Sequence, residues 1–521
     1  MERFIYLDSK DWGAQQDGTY INPVVWEDYN NPFIMQHVTG FYMVAASHHF
    51  MGMPALHSTD LVNWRLCSRV YFSLDFDDKY NHPGQAYQKG SWAPSLVCHG
   101  GRFMVYCMNS VDGLFVSAAT DMKGPWSPVK LIHKASHWED PFPFWDEDGQ
   151  AYLIHSGFGP SPLMLHKMSP DGMKILDDGV ILQETYPSVH NPIIKKRFGY
   201  YFIFGMGHGK DDIRGEYVFR SKNIYGPYEE KRILTAGGEG CSPGGGGWAE
   251  LPDGSSWFMH HVGVSGYGRL PFLEPAGWKN GWPWIGKGEG DGAAGGVVFK
   301  HKTPFKNTPA RGKRFARTDD FSSPGLDLAW RWNHNPKNEL WSLCERPGYL
   351  RLKAGCLEKE SGISGIHEQI AAADDCILFA NNILSQLAIG PRCKATTQLD
   401  IHNMQDGQRA GFCFFNKSYA WVGVVQERGK KHVRAYCMGA EKVVIFDGPS
   451  DIKENTIWLR GECTEGIGSL FYSLDGASFI QLGSPLAFKT EWFESHSLSL
   501  FTYNVNSQIG YVDFKSFCIS R

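Results

Sequence analysis

The sequence lacks several features that would place it in a familiar class. No stretch of about 18 apolar residues occurs, so no membrane-spanning helix is expected. The first residues have no apolar run of the kind found in a signal peptide, so a cytoplasmic protein is the first expectation. The 12 cysteines form no C-x-x-C pair and are expected to be reduced thiols. A net charge of −4 argues against nucleic acid and acidic membranes as partners.

Glycine and aromatic residues are abundant. The chain has 59 glycines, and aromatic residues make up 14% of it. This mixture fits turn-rich β-structure, and it also fits sugar binding, because sugar rings pack their C–H faces against aromatic planes. A chain of 521 residues is too long for one ordinary core, which predicts two domains.

A glycine turn followed by an aromatic, β-branched run recurs along the first half of the chain. Such a run after a glycine turn is typical of a strand entered from a hairpin. The spacings between successive marker glycines are 61, 48, 50 and 55 residues. The markers are Gly40, Gly101, Gly149, Gly199 and Gly254. Repeats of this period predict a five-bladed β-propeller.

A polar or proline-containing segment precedes each of these turns. The first strand of each blade lines the central channel of a propeller, so these five segments are expected to converge on one pocket. The segments are Asn31-Pro32, Trp92-Ala93-Pro94, Asp140-Pro141, His190-Asn191-Pro192 and Gly247-Trp248.

The composition changes after about residue 286. Residues 286–317 are rich in Gly, Pro and Lys, which is typical of a linker. From about residue 318 the pattern becomes short alternating strands, which predicts a β-sandwich. We therefore expect a propeller over residues 1–300, a linker over 301–317 and a sandwich over 318–521. Residues 358–388 are less regular and are expected to hold a short helix.

The chain resembles the glycoside hydrolases of family 43, in particular the two-domain β-xylosidase and α-L-arabinofuranosidase type. Matching phrases occur in both domains: Leu56-His57-Ser58-Thr59-Asp60-Leu61-Val62-Asn63-Trp64, Trp92-Ala93-Pro94-Ser95, Asp140-Pro141-Phe142-Pro143-Phe144, Arg220-Ser221-Lys222-Asn223-Ile224-Tyr225-Gly226-Pro227-Tyr228 and Trp330-Arg331-Trp332-Asn333-His334. The resemblance implies an all-β fold, a five-bladed propeller followed by a C-terminal β-sandwich. It also implies an inverting cleavage of sugar linkages by a base Asp, an acid Glu and a second Asp that tunes the acid.

Two of these three positions depart from the family pattern. By resemblance, the base position falls on Asn31, the acid position on His190 and the tuner on Asp140. A Gly-Arg phrase that binds substrate hydroxyls in the family matches Arg269. Three residues later, Phe272 stands where the family often has a histidine associated with a central metal ion.

The two replacements have different chemical consequences. Asn31 cannot take a proton from water at neutral pH. His190 can still act as an acid or a base, and a neighbouring Asp140 would hold its imidazolium form. A carboxylate displaced from elsewhere would then have to replace the base, and the candidates near the site segments are Asp28, Glu139 and Glu184, each of which also fits a rim or turn residue.

Several other residues are candidates for substrate binding. Aromatic platforms are expected at Trp92, Phe50, Trp138 and Trp248, each of which could equally pack between blades. His49, next to His48, could hydrogen-bond a ligand. These histidines do not form a metal motif, so no metal ligand and no cofactor are predicted, although a central structural cation is possible. In the sandwich, Trp341 or another early residue is expected to lean over the pocket.

Three functions fit these residues. The first is cleavage of a terminal pentoside, an arabinofuranoside or a xyloside, with His190 as acid. The second is a non-hydrolytic reaction, a lyase, isomerase or cyclase, that uses His190 and Asp140 for proton transfer. The third is a glycan-binding pseudoenzyme. All three imply a small-molecule or oligosaccharide ligand, and the natural substrate and the oligomeric state stay open.

Overall fold

The computed structural model describes residues 5, 7, 11–159, 162–184, 188–211, 213–235, 243–288, 293–312, 316–357, 375–438, 443–506 and 508–521. In these ranges the chain is built from strands. Helical geometry occurs there as three short 3-10 turns, at Asp78–Asn81, Asn338–Leu340 and Ile377–Phe379. No helix in these ranges is long and apolar enough to cross a membrane.

Five antiparallel sheets follow one another through the first half of the described chain, after two short strands β1 (Gly13–Ala14) and β2 (Thr19–Ile21). The first sheet has β3 (Phe33–His37), β4 (Gly40–Val44), β5 (Pro54–Ser58) and β6 (Arg65–Arg69), and the second has β7 (Trp92–His99), β8 (Arg102–Asn109), β9 (Gly113–Ala119) and β10 (Lys130–Lys134). The third has β11 (Trp138–Trp145), β12 (Ala151–Gly157), β13 (Leu163–Met168) and β14 (Val180–Gln183). The fourth has β15 (Ser188–Arg197), β16 (Tyr200–His208), β17 (Arg214–Ser221) and β18 (Glu229–Thr235), and the fifth has β19 (Pro243–Glu250), β20 (Ser256–Val264), β21 (Gly268–Lys279) and β22 (Trp282–Ile285).

The glycine turns predicted from the sequence are confirmed as the entries to the second strand of each sheet. The turn between β15 and β16 shows why. Arg197 pairs with Tyr200, and the two residues between them, Phe198 and Gly199, have φ of 53° and 73°. Positive φ at both central residues matches the twist of an antiparallel hairpin, and glycine adopts it without steric cost.

The first strands of the five sheets form a closed ring. β3 contacts β7, β7 contacts β11, β11 contacts β15, β15 contacts β19, and β19 contacts β3. The domain is therefore a β-propeller, with the first strand of each sheet at its centre.

A residue with a left-handed backbone lies within each first strand or, in the first sheet, two residues before it. These residues, each with φ between 34° and 57°, are Asn31, Ala93, Asp140, Asn191 and Gly245. In the second to fifth sheets, the ladder between the first and second strands shifts register at this point. The extra residue breaks the strict alternation of side chains between the two faces of a strand.

Two further short strands follow the fifth sheet. β23 (Gly295–Gly296) pairs in parallel with β18, and β24 (Lys300–Lys302) pairs with β2 near the start of the described chain. The expected linker, 301–317, thus begins in a strand that pairs with β2, and the domain boundaries proposed from the sequence stay a prediction.

The second half of the described chain forms two large sheets, which confirms the predicted sandwich. The strands are β25 (Ala316–Asp319), β26 (Arg331–Trp332), β27 (Trp341–Ser342), β28 (Leu350–Lys353), β29 (Gly355–Cys356), β30 (Leu384–Leu387), β31 (Arg392–Asp400), β32 (Gln408–Phe415), β33 (Ala420–Glu427), β34 (Lys430–Met438), β35 (Val443–Ser450), β36 (Thr456–Thr464), β37 (Ile467–Ser473), β38 (Ile480–Gln481), β39 (Leu486–Ala487), β40 (Ser497–Asn504) and β41 (Tyr511–Ser520). One sheet has the order β27-β28-β41-β31-β36-β37-β38, and the other has the order β26-β30-β40-β32-β33-β34-β35. Aromatic side chains from the two sheets meet in the core, as Phe412 does with Phe517 at 6.3 Å between ring centroids.

The short helix expected within residues 358–388 corresponds, in its described part, to the 3-10 turn at Ile377–Phe379 followed by strand β30. Residues 358–374 lie outside the described residues.

Candidate active site

A cavity of about 290 Å³ opens at one end of the ring of first strands. Its volume is at the low end of the range for small-molecule sites, roughly 300–1,000 Å³, which suits one sugar ring better than a long oligosaccharide. It is lined by Asn31, His48, Trp92, Glu139, Asp140, Phe158, Gly159, His190, Asn191, Met206, Gly207, His208, Arg214, His261, Arg269 and Phe493.

Two consecutive carboxyl groups, those of Glu139 and Asp140, both face this cavity. In a regular strand one of the two would point to the opposite face. The ladder between β11 and β12 shifts between Glu139 and Phe142, and Asp140 has φ of 57°. The bulge therefore places both acidic side chains on the same wall.

Asp140 is held in its ionised form by its neighbours. Its Oδ2 accepts hydrogen bonds from Ser156 Oγ at 2.8 Å and from the backbone N–H of Asn191 at 2.9 Å. Burial opposes the charge of this carboxylate. The hydrogen bond and charge of His190, with the Asn191 and Ser156 bonds, outweigh that penalty and hold the pKa of Asp140 below its ordinary value.

Glu139 has the opposite electrostatic environment. The residue is 9% exposed, and burial together with the neighbouring charge of Asp140 raises the pKa of Glu139 to about 8, against a smaller lowering by Arg269. The pKa values of the two neighbouring carboxyls are thus shifted in opposite directions, that of Glu139 upward and that of Asp140 downward, which is the division of properties that acid–base catalysis uses.

His190 lies between the two acids. Its Nδ1 is 3.6 Å from Asp140 Oδ2 and 3.9 Å from Glu139 Oε2. A quarter of its side chain is exposed to the cavity. The predicted meeting of the imidazole at 190 and the carboxylate at 140 is thus present in the structure.

Asn31 and Arg269 form a second part of the wall. Arg269 Nη1 donates to Asn30 Oδ1 at 3.0 Å and to Asn31 Oδ1 at 3.4 Å. The guanidinium is therefore turned toward two neutral amides, and the position that the resemblance assigns to the base offers no ionisable group.

Of the other carboxylates considered as a replacement base, Asp28 is buried behind this wall. It accepts hydrogen bonds from the backbone N–H of Arg269 at 2.8 Å and of Ser495 at 2.7 Å, and burial raises the pKa of Asp28 to about 7. Glu184 is exposed. Neither residue lines the cavity, whereas Glu139 does.

The sandwich contributes one wall of the cavity through Phe493. Its ring lies 5.8 Å from that of Trp92 and 5.3 Å from that of His48, and the Arg269 guanidinium lies over it at 5.5 Å. Asn30 Nδ2 donates to the carbonyl of Phe493 at 2.6 Å, which ties this loop to the propeller.

The next residue, Glu494, anchors the same loop in the domain interface. It accepts hydrogen bonds from the backbone N–H of His48 at 2.7 Å and from Arg331 Nη1 at 2.9 Å. Burial opposes its charge, and Arg331 and His48 outweigh burial and hold the pKa of Glu494 far below its ordinary value. Trp341, the early sandwich residue expected over the pocket, instead packs on Trp332 at 5.4 Å.

The structure brings together five of the predicted site residues and leaves four outside the cavity. Those that line it are Asn31, Trp92, Asp140, His190 and Arg269. Phe50 and His49 are buried at the contact with the sandwich, where Arg331 lies 3.9 Å over the Phe50 ring and Trp492 lies 5.6 Å from the His49 ring.

The other two aromatic candidates pack elsewhere in the propeller. Trp138 stacks on His155 at 4.0 Å and on His133 at 4.8 Å. Trp248 packs between the fourth and fifth sheets, 5.4 Å from Phe204. Both tryptophans therefore pack between sheets, which is the alternative role that the sequence left open for them.

Some lining residues did not emerge as site residues from the sequence. The sequence predicts Glu139 only as a displaced carboxylate, although an acidic pair directly before a proline, Glu139-Asp140-Pro141, is compatible with a bulge that turns both acids to one wall. Others had no local signal, because they come from second and third strands or from the sandwich. They are His208, Arg214, His261 and Phe493.

Glu139, Asp140 and His190 also present ligand atoms within 4.8 Å of one another. Two carboxylates and an imidazole are a donor set that divalent cations accept. The expectation that the protein uses no metal or cofactor stays a prediction. Phe272, which the resemblance places where the family often has a metal-associated histidine, is buried, and its ring lies 6.0 Å from that of His260.

Known proteins match both halves of the chain. Residues 20–283 match the family described as glycosyl hydrolases family 43, and residues 318–520 match the family described as beta xylosidase C-terminal concanavalin A-like domain. A putative beta-xylosidase of Xylanibacter ruminicola is 34% identical over 495 residues, covering 93% of this chain and 86% of the relative. A beta-xylosidase of Formosa agariphila is 36% identical over 542 residues, covering 96% and 90%.

Solved structures show the same architecture. A bifunctional GH43-CE protein of Bacteroides eggerthii superposes with a TM-score of 0.81 at 27% identity, and the match covers 98% of this chain and 64% of that chain. The propeller, the sandwich behind it and these matches define a carbohydrate-active enzyme fold. The chain belongs to glycosyl hydrolases family 43 and carries the C-terminal domain found with β-xylosidases.

Proposed function

We propose that the protein is a family 43 glycosidase that removes a terminal pentose, as an arabinofuranoside or a xyloside. The observation that carries this proposal is the meeting of Asp140, His190 and Arg269 in one cavity sized for a single sugar ring. Trp92, on the same cavity, offers an aromatic face for the ring's C–H groups. We also propose that the five sheets are the five blades of the propeller, which the closed ring of their first strands supports.

The acid side of the site retains groups that can transfer a proton. His190 sits against Asp140, whose carboxylate would hold the imidazole in one orientation. The base side differs, because Asn31 cannot accept a proton from water. Hydrolysis by this pocket is therefore expected to be slower than in a site with an aspartate there, by the factor of roughly 10²–10⁴ that general-base catalysis contributes.

The wall formed by Phe493 favours action on chain ends. It closes the cavity from the sandwich side and contacts both Trp92 and the Arg269 guanidinium. A cavity closed in this way has room for one terminal sugar rather than for the middle of a chain. The ligand we propose is an oligosaccharide, with no nucleic-acid or membrane partner.

The proposal of a pentoside as substrate rests on the names of the relatives. Two of them carry the name beta-xylosidase, and a more distant one, 29% identical over 361 residues, is named as a non-reducing end alpha-L-arabinofuranosidase of Bacteroides ovatus. The non-hydrolytic and the purely glycan-binding alternatives have no support from these relatives.

The test is release of an aryl alcohol from aryl α-L-arabinofuranoside and aryl β-D-xyloside, measured for wild type, His190→Ala and His402→Ala. His402 is an exposed residue of the sandwich and serves as the matched control. We expect slow release by wild type and by His402→Ala, and none by His190→Ala. Release that His190→Ala leaves unchanged would contradict the assigned role. The absence of release by wild type at high enzyme concentration would contradict hydrolysis of these pentosides.

A further inference from the structure

We propose that Cys393 and Cys463 are a reversible disulfide site, closed by a small peroxide, that locks the joint between the propeller and the sandwich. Both residues are free thiols in the structure. Neither lines the cavity, so this proposal stands or falls independently of the proposed glycosidase activity.

The two cysteines stand directly opposite each other in one ladder. Cys393 on β31 pairs with Cys463 on β36 in an antiparallel register. Side chains of directly opposite residues leave the same face of a sheet, and their Cα atoms are about 4.5–5.5 Å apart. A disulfide joins Cα atoms about 4.4–6.8 Å apart. The backbone therefore holds both thiols at a separation that a disulfide spans.

This pairing is specific within the described strands. In their ladders no other two cysteines stand opposite each other. Cys413, for example, is as deeply buried as Cys463 but pairs with Trp421 and Ser499. Cys413 is for this reason a matched control for the pair.

The pair lies close to the open end of its ladder. Cys393 is 4% and Cys463 is 1% exposed, but the next and last rung joins Arg392 to Thr464, and both of these residues are exposed. Strand ends open locally at a much lower free energy than the core of a sheet. A molecule as small as hydrogen peroxide thus reaches this rung, and Cys393, the more exposed thiol, meets it first.

The ends of the same two strands hold the propeller through Tyr267. Its Oη donates a hydrogen bond to the carbonyl of Pro391 at 2.6 Å and accepts one from the backbone N–H of Gly466 at 2.9 Å. Cys463 Sγ lies 3.6 Å from the same oxygen. Pro391 comes just before β31 and Gly466 just after β36, so a covalent bond between the strands fixes the two partners of Tyr267 relative to each other.

The propeller side of this joint belongs to the hairpin that carries Arg269. Tyr267 lies between β20 and β21, two residues before Arg269, and the neighbouring Gly266 carbonyl accepts a hydrogen bond from Ser495 Oγ at 3.1 Å. Cβ atoms of directly opposite residues are about 4.5–5.5 Å apart, against about 3.5–4.5 Å in a disulfide. Closing the bond therefore draws the two strand ends together by about 1 Å at the joint.

The proposed reaction consumes one peroxide and no other reactant. The Cys393 sulfur attacks a peroxide oxygen, the O–O bond breaks, and the departing hydroxide takes the Cys393 thiol proton to become water. The Cys463 sulfur then attacks the resulting sulfenic acid, the S–S bond forms, the S–O bond breaks, and the second hydroxide takes the Cys463 thiol proton. The two thiols lose two electrons and the peroxide gains them. A dithiol reverses the reaction by thiol–disulfide exchange.

The first experiment maps the cross-link. The whole chain, as wild type, Cys393→Ser, Cys463→Ser and the control Cys413→Ser, would be treated with hydrogen peroxide, alkylated under denaturing conditions and digested without reduction. Mass spectrometry should find a peptide pair joined through Cys393 and Cys463 in wild type and in Cys413→Ser. The pair should be absent from the other two variants and should disappear on treatment with dithiothreitol.

The second experiment measures the lock. The cross-link closes a loop of about 70 residues, so we expect oxidised wild type to melt about 5 °C higher than reduced wild type in scanning calorimetry. Cys413→Ser should show the same gain. Cys393→Ser and Cys463→Ser should show none, because they form no cross-link.

Three results would overturn the proposal. The first is peroxide that oxidises the exposed Cys98 and leaves Cys393 and Cys463 as thiols. The second is a cross-link formed in higher yield between other cysteines, and the third is an unchanged Tm after complete cross-linking. If a serine variant does not fold, the peptide map and the two melting curves of wild type still decide between these results.

Discussion

The two sides of the cavity differ in what they can do with a proton. The side built from the third and fourth sheets holds Glu139, Asp140 and His190, with polar side-chain atoms within 4.8 Å of one another. The side built from the first and fifth sheets holds Asn31 and Arg269, an amide and a guanidinium. The comparison teaches that the two sides differ in side-chain chemistry rather than in backbone geometry, because Asn31 and Asp140 both have a left-handed backbone conformation.

The largest effect is expected where a single change would make the two sides alike. Asn31→Asp would place a carboxylate about where Asn31 Oδ1 now lies, 3.4 Å from Arg269 Nη1, and this cation would keep it ionised. We expect kcat/KM on aryl pentosides to rise by about 10²–10⁴, the usual contribution of a general base.

Asn30→Asp is the matched control for that gain. Asn30 also accepts a hydrogen bond from Arg269, at 3.0 Å, but it does not line the cavity. An equal gain in Asn30→Asp would mean that added negative charge, and not a base at position 31, is responsible.

The next effect should come from weakening the proton-bearing side. Asp140→Asn removes the charge that faces His190 and the acceptor of the Ser156 and Asn191 hydrogen bonds. We expect kcat/KM to fall by about 10²–10³ with an unchanged circular dichroism spectrum. Asp148→Asn, in the exposed turn of the same sheet, should have wild-type kinetics; a similar fall there would show that the loss is not specific to the cavity.

A smaller effect is expected from Phe493, the sandwich residue that forms one wall of the cavity. Phe493→Ala would open the cavity on the sandwich side and remove contacts with Trp92 and Arg269. We expect KM for aryl xyloside to rise by about 10-fold, equivalent to about 1.4 kcal/mol, with kcat changed much less. The control is Phe72→Ala, which changes a phenylalanine of the propeller that is 64% exposed. An unchanged KM in Phe493→Ala would show that Phe493 does not take part in substrate binding.

The smallest effect is a pH dependence of stability. The pKa of Glu139 is raised from 4.5 to about 8, so the folded chain keeps a proton that the unfolded chain has lost, and wild type loses stability as pH rises across that window. Gln does not titrate. We therefore expect Glu139→Gln and wild type to have similar Tm values at pH 4.5, and the variant to melt about 2–4 °C higher at pH 8, as measured by scanning calorimetry. The Tm of Glu184→Gln should follow that of wild type at both pH values. If the difference in Tm between Glu139→Gln and wild type were the same at both pH values, the raised pKa of Glu139 would be contradicted.

Much of the propeller could be predicted from the sequence, because its turns depend on local chemistry. Glycine at the hairpin positions and aromatic runs after them locate the second strands of all five sheets. The sandwich was predictable for the same reason, since alternating strands such as β32 and β33 show period-two patterns.

The site was only partly predictable, because bulges and long-range contacts leave little local signal. Asn31, Asp140 and His190 were placed by resemblance, but Trp138 and Trp248 could not be separated from packing residues by sequence spacing alone. A bulge changes which neighbours share a face, so Glu139 joined the site unexpectedly. Phe493 reaches the cavity from 463 residues after Asn30, the residue that fixes its carbonyl, and no spacing rule reports such a contact.

The left-handed backbone at the five positions described above, three of which line the cavity, limits which side chains can stand there. Asn and Asp tolerate positive φ better than other side chains, and glycine adopts it freely. Four of the five positions hold one of these residues: Asn31, Asp140, Asn191 and Gly245. An exchange between Asp and Asn there changes one charge, and because both residues tolerate the same positive φ, a change in reactivity needs no change in the main chain.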